Sequence, residues 1–330
     1  MRGPPRATPV LPALAWHGGA AVRGVLYALP GGLVAAFDDP ERGLALTLGG
    51  LPAVALVLPA SRRHRALIVL VGCAAGVSVV LGSLLVYRDW LAVTGVFVLA
   101  VGAALLAARR AGGVLAMALC VPLLGVGFSY PEVSGALAVG ALIAVGSAYA
   151  WLVSLVWPQR PLPGRHLSLP LGRDEALGYG LRLGAAGAAA TVVGLALAPT
   201  HPGWPVVAAL MVMRPRPEMV RRRAVGRTVS VLVGGVLALA VLRTLPPDGV
   251  YGALCLLTLG GAGGVQGSRW YVLGGFTTFL VLLLLFQGDR GTAGGRFWER
   301  TVATLAGVGI AYLAGTVGRG DGAGRAGERS

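Results

Sequence analysis

The sequence predicts an all-α membrane protein: about twelve transmembrane helices arranged as a 6+6 parallel repeat, with both termini in the cytoplasm. Three observations carry that expectation. Hydrophobic residues make up 55% of the 330 residues and charged ones only 12%, about half the charge of a typical soluble domain. Apolar segments recur along nearly the whole length, which reads as many spans and not a soluble domain with one anchor. All 28 basic residues are arginines, and they gather in alternate short loops, as the positive-inside rule requires.

The first six spans are expected at about Ala20–Phe37, Gly43–Leu58, Ala66–Tyr87, Trp90–Ala108, Gly113–Tyr130 and Val133–Trp157. The second six are expected at about Ala176–Ala198, Trp204–Met213, Ala224–Leu242, Val250–Gly267, Trp270–Phe286 and Phe297–Val317. Domains follow from these. Residues 1–157 form a first six-helix half and 158–175 a Pro/Arg-rich cytoplasmic linker. Residues 176–318 form the second half and 319–330 a disordered tail. The Met1–Pro12 segment is short, basic and Pro-rich, and does not read as a cleavable signal.

With the N-terminus inside, 20 arginines fall in cytoplasmic segments, six of them between Arg214 and Arg227. Five fall outside, at Arg42, Arg88, Arg243, Arg290 and Arg296, and three lie in span ends. An offset of 159 carries Arg23 onto Arg182, Arg62 and Arg63 onto Arg221 and Arg222, Arg110 onto Arg269, and Asp89 onto Asp248. Each half has an even number of spans, so the repeat is parallel, about an axis along the membrane normal.

His201–Ala238 is the organising stretch. A short apolar run, Trp204–Met213, is fenced by Pro202, Pro205, Pro215 and Pro217. An arginine hairpin follows: Arg214, Arg216, Arg221, Arg222, Arg223 and Arg227. The next helix carries Gly226, Ser230, Gly234 and Ala238 at every fourth position, a seam for close helix packing. Ala303, Gly307, Ala311 and Gly315 form a second seam. Pro52 and the Pro202/Pro205 pair interrupt the second span of each half. Matching interruptions point to a binding site, although proline is also tolerated in membrane helices.

The second half resembles the fusaric acid resistance protein-like family (FUSC), which includes the bacterial aromatic acid exporters. The resemblance rests on Arg182 in GLRLG, on Gly203–Trp204 and an apolar run ending in Arg214–Pro215, and on Arg227–x6–Gly234. It continues through Tyr271, then Phe276, Thr277 and Thr278 before a leucine run, and ends in Arg300–x3–Thr304–x2–Gly307. It covers roughly Ala176–Gly315. Departures are Ser230–Val231 where the family has Gly-Thr, a first half that has lost most of the motif, and a short linker in place of a cytoplasmic domain. The resemblance implies a bacterial multi-pass plasma-membrane protein, an efflux permease for small organic and aromatic acids. A channel-like anion pathway and a non-transporting membrane scaffold are the alternatives.

Five residues are candidates for binding substrate: Arg182, Arg23, Tyr179, Trp204 and Arg300. Arg23 and Arg182 occupy the first turns of matching spans, and paired guanidinium forks suit a carboxylate. They also suit lipid phosphates. Glu175, Tyr179 and Arg182 fall at i, i+4 and i+7, on one helical face. Trp204 is read either as an aromatic-belt anchor or as a stacking platform. Arg300 shares a face with Thr304, Gly307 and Ala311, and is read either as a substrate ligand or as a rim anchor.

No catalytic or metal-binding constellation emerges: the four histidines are scattered, and Cys73, Cys120 and Cys255 are isolated in apolar spans. There is no nucleotide motif, so neither an enzyme nor a cofactor is expected. The net charge of +15 is explained by topology and not by nucleic acid. The expected partners are a small organic anion and anionic lipids at the cytoplasmic face. Homo-oligomerisation is left open.

Overall fold

The computed structural model describes residues 14–56, 58, 61–109, 114, 116–158, 171–197, 201–215, 217–268, 270–286 and 293–316. Most of the expected linker and all of the C-terminal tail lie outside the described residues. Among those described, the regular structure is entirely helical. Six helices are long and apolar enough to cross a membrane, so the chain is a multi-pass helical membrane protein.

Helix α1 spans Gly18–Phe37 and α2 spans Pro40–Ala55. The Asp39 carboxylate accepts from the backbone N–H groups of Glu41 and Arg42, and Pro40 fits the first turn, where no donor is needed. A single turn, α3 (Arg62–Arg65), leads into α4 (Leu67–Leu85) and α5 (Asp89–Arg109). The fifth expected span is broken. A π-helical turn at Ala116–Cys120 runs into a short α6, Val121–Gly127. Pro122 sits in the first turn of α6 and has no N–H to continue the ladder backwards. Helix α7 spans Val133–Val156.

The second half begins with α8, Arg173–Leu197. Helix α9, Gly203–Val212, is ten residues long and buried at every position except Met211. Helices α10 (Pro217–Arg243), α11 (Asp248–Gly264), α12 (Trp270–Phe286) and α13 (Ala293–Thr316) complete the chain.

Two expectations shift here. Arg221, Arg222 and Arg223 belong to α10 and not to a loop. Proline at its first position starts the helix, and arginine is a good helix former that continues it. Helix α13 begins four residues earlier than expected, which moves Arg300 about one turn further inward.

Packing is interlaced. Helix α1 lies along α11, and α5 lies along α8. Helix α2 packs on α12, and α9 on α6. Helix α4 lies along α7, α10 along α13, α2 against α7, and α9 against α13.

Small residues set these approaches. A Cβ on Gly203 would collide with the Gly125 carbonyl oxygen, and one on Gly24 with that of Leu259. The two seams find different partners. Gly234 faces α12, where an added Cβ would lie 2.8 Å from the Gly275 carbonyl oxygen. Gly307 abuts the Pro205 carbonyl on α9, and Gly315 faces Val220 on α10. The apolar side chains left outside the packing, such as Leu70, Val98, Leu152 and Leu257, are exposed. That distribution suits a lipid-facing surface.

Candidate functional site

The site is built where α9, α10, α12 and α13 meet. Trp204, in the first turn of α9, is only 1% exposed. The His201 ring stacks on its indole, with centroids 4.3 Å apart and planes 17° from parallel. His201 Nδ1 is 2.9 Å from Ser129 Oγ, just beyond α6. The guanidinium carbon of Arg300 lies 5.1 Å from the Trp204 ring centroid. An imidazole, an indole and a guanidinium therefore form one column.

Arg227 is the second cation. It is 2% exposed, as is Arg300. One of its terminal nitrogens donates to Thr278 Oγ1 at 3.1 Å, and Thr278 in turn donates to the Gly274 carbonyl at 2.8 Å. Arg227 and Arg300 are electrostatic neighbours. Among the described residues neither has a carboxylate within ion-pair distance. The Nε atoms of both, and Thr304 Oγ1 one turn beyond Arg300, are buried without a hydrogen-bond partner. A buried cation without counter-charge costs several kcal/mol, and two adjacent cations repel each other. Such a corner is chemically suited to an anion.

Of the five sequence candidates, Trp204 and Arg300 are brought together. Trp204 is enclosed, and Arg300 lies under α9 and not at the rim. Tyr179 is 1% exposed and donates from its hydroxyl to the Met213 carbonyl at 3.2 Å. Arg182 is half-buried, and its Nε donates to the Gly178 carbonyl of its own helix at 3.3 Å. Glu175 is exposed and accepts from the Gly172 backbone N–H, so the Glu175–Tyr179–Arg182 stripe is divided between solvent and core. Arg23 lies 5.7 Å from the Trp157 ring, away from the other four.

Arg227 is the residue that sequence reasoning missed, being counted among the topological arginines of the hairpin. A signal was present: Arg227 precedes Ser230 and Gly234 at i+3 and i+7, on the face of the small-residue seam, where it must be buried.

The architecture and site define a multi-pass helical membrane protein with two adjacent cations in its interior, neither facing a carboxylate among the described residues. Residues 187–314 match the model of the fusaric acid resistance protein-like family. No curated protein and no solved structure matches the chain. The matched segment contains Trp204, Arg227, Thr278, Arg300 and Thr304, and leaves Arg23, Tyr179 and Arg182 outside.

Proposed function

We propose that this protein is an efflux permease of the bacterial plasma membrane that carries small organic acids, aromatic ones among them, bound between Arg227, Arg300 and Trp204. The observation that carries this reading is the buried arginine pair beside an indole, with no carboxylate at ion-pair distance among the described residues. Guanidinium forks supply bidentate donors for a carboxylate, and the indole supplies a flat apolar wall. Charge-assisted bonds in a water-poor interior are stronger and more directional than at a surface.

The same reading places twelve spans in two six-helix halves with both termini inside. The packing pattern supports it. The first span of each half packs on the fourth of the other, as α1 on α11 and α8 on α5. The second of each half packs on the fifth of the other, as α2 on α12 and α9 on α6. Within each half the third and sixth pack together, as α4 with α7 and α10 with α13. The halves differ in their cations. Arg65, fully buried, donates to the carbonyls of Ser154, Trp157 and Pro158 and so caps the end of α7. The first half is thus a structural partner, and the second half binds.

Benzoate counterflow in proteoliposomes tests the function. A permease gives saturable exchange driven by benzoate preloaded inside. Flux that stays linear in concentration favours the channel-like pathway, and no flux above empty liposomes sinks both.

A further inference from the structure

We propose that Thr304 is a binding residue of the Trp204–Arg300 site: its hydroxyl and the Arg300 Nε–H donate to the same substrate carboxylate, so the anion is held by two donors on one face of α13. The proposal rests on the reading of Arg300 and Trp204 as an organic-anion site, and it adds the group that orients the anion there.

Helical hydroxyls in this interior commonly satisfy themselves on their own backbone. Thr47, Thr191, Ser230, Thr278 and Thr301 each donate to the carbonyl four residues back, at 2.6–2.9 Å. Thr304 breaks the pattern. It is 2% exposed, and its Oγ1 is buried with no hydrogen-bond partner. The acceptor that the pattern would give it is the Arg300 carbonyl, and the hydroxyl does not take it. An unmet hydroxyl in a water-poor interior is costly, and a ligand that supplies the partner removes that cost.

Position says which ligand group the hydroxyl would meet. Thr304 stands one turn beyond Arg300 on α13. Side chains lean toward the start of their helix, so the hydroxyl overhangs the turn that carries Arg300. The same face is held against α9 on both sides of Thr304. The guanidinium carbon of Arg300 lies 5.1 Å from the Trp204 ring centroid, and Gly307 abuts the Pro205 carbonyl. Thr304 falls between these two contacts, beside the first turn of α9. The contact with Trp204 uses the charge of Arg300 and none of its N–H groups. Arg300 Nε, like Thr304 Oγ1, is buried without a partner. Two unmet donors thus lie one turn apart on one helix face. A carboxylate has two acceptor oxygens and can take both, with its ring beside the indole.

Equilibrium dialysis of radiolabelled benzoate against the purified chain in nanodiscs of zwitterionic lipid tests this, with the melting temperature in the absence of benzoate read alongside. T304V keeps the shape of the side chain and removes the hydroxyl. It is expected to weaken benzoate binding about tenfold, the loss of one hydrogen bond to a charged group. Without benzoate it is expected to melt at or above the parent, because an unmet buried hydroxyl has gone. T304S keeps the hydroxyl and is expected to restore most of the affinity. Parental affinity in T304V overturns the inference. So does a T304V that melts below the parent, which would give the hydroxyl a partner within the protein, or a T304S that binds no better than T304V. R300Q separates this inference from the reading beneath it. Binding lost in R300Q but parental in T304V removes Thr304 alone, whereas parental binding in R300Q ends the organic-anion reading of the site and the role of Thr304 with it.

Discussion

The guanidinium carbon of Arg300 lies 5.1 Å from the centre of the Trp204 indole, and both residues are almost fully buried. The contact joins α13 to the short α9 and presents a charge and a flat apolar wall to the same space. A cation over an indole contributes about 2 kcal/mol when desolvated. Trp204→Leu keeps the bulk and removes the π face. It is expected to weaken aromatic acids more than aliphatic acids of similar size, read as the ratio of benzoate to butyrate counterflow. An unchanged ratio would leave Trp204 as packing alone.

The closeness of α9 to α6 depends on Gly203, where any Cβ would overlap the Gly125 carbonyl. Gly203→Ala is expected to destabilise the protein by about 1–3 kcal/mol through overpacking, seen as a lower melting temperature in detergent. Gly102 on α5 meets nothing within 4 Å of an added Cβ. Gly102→Ala is expected to melt at or above the parent, because alanine is the better helix former by about 1 kcal/mol.

The helical membrane class was legible in the sequence because hydropathy acts over whole spans. The Pro-fenced Trp204–Met213 run was expected as a short span, and α9 is a ten-residue helix there. The break at Ala116–Cys120 was not, since π-helical turns leave no periodic signal. The candidate site was half legible. Trp204 and Arg300 stood out as sequence features, but their meeting depends on α9 packing against α13, a contact between segments about 90 residues apart that no local pattern encodes. Arg227 was hidden among its neighbours, because membership of a basic cluster says nothing about which member turns inward.

Arg182 separates two roles by chemistry. As a substrate ligand it needs its planar fork, so Arg182→Lys is expected to lower benzoate flux about tenfold at normal expression. As a lipid anchor it needs only charge, and lysine would serve equally. Flux at the parental level in the lysine variant, measured per folded protein, removes Arg182 from the binding path.

Orientation is open to direct labelling. Cysteines placed at Arg62 and Arg63 are expected to be shielded from a membrane-impermeant thiol reagent in intact cells, and those at Pro131 and Pro247 to be modified. The reverse pattern would invert the topology and with it the direction of loading.

The buried arginine pair is the centre of the account, and benzoate counterflow with R227Q and R300Q tests it most directly. Glutamine retains much of the side-chain volume and some hydrogen bonding, while removing the charge. Each variant is expected to lose at least about tenfold in flux, as follows from losing a charged hydrogen bond of about 1.5–3 kcal/mol. Their thermal stability in the absence of benzoate is expected to match or exceed that of the parent, since removing one of two adjacent buried cations relieves repulsion. Parental flux in both variants, at equal amounts of folded protein, would contradict the account.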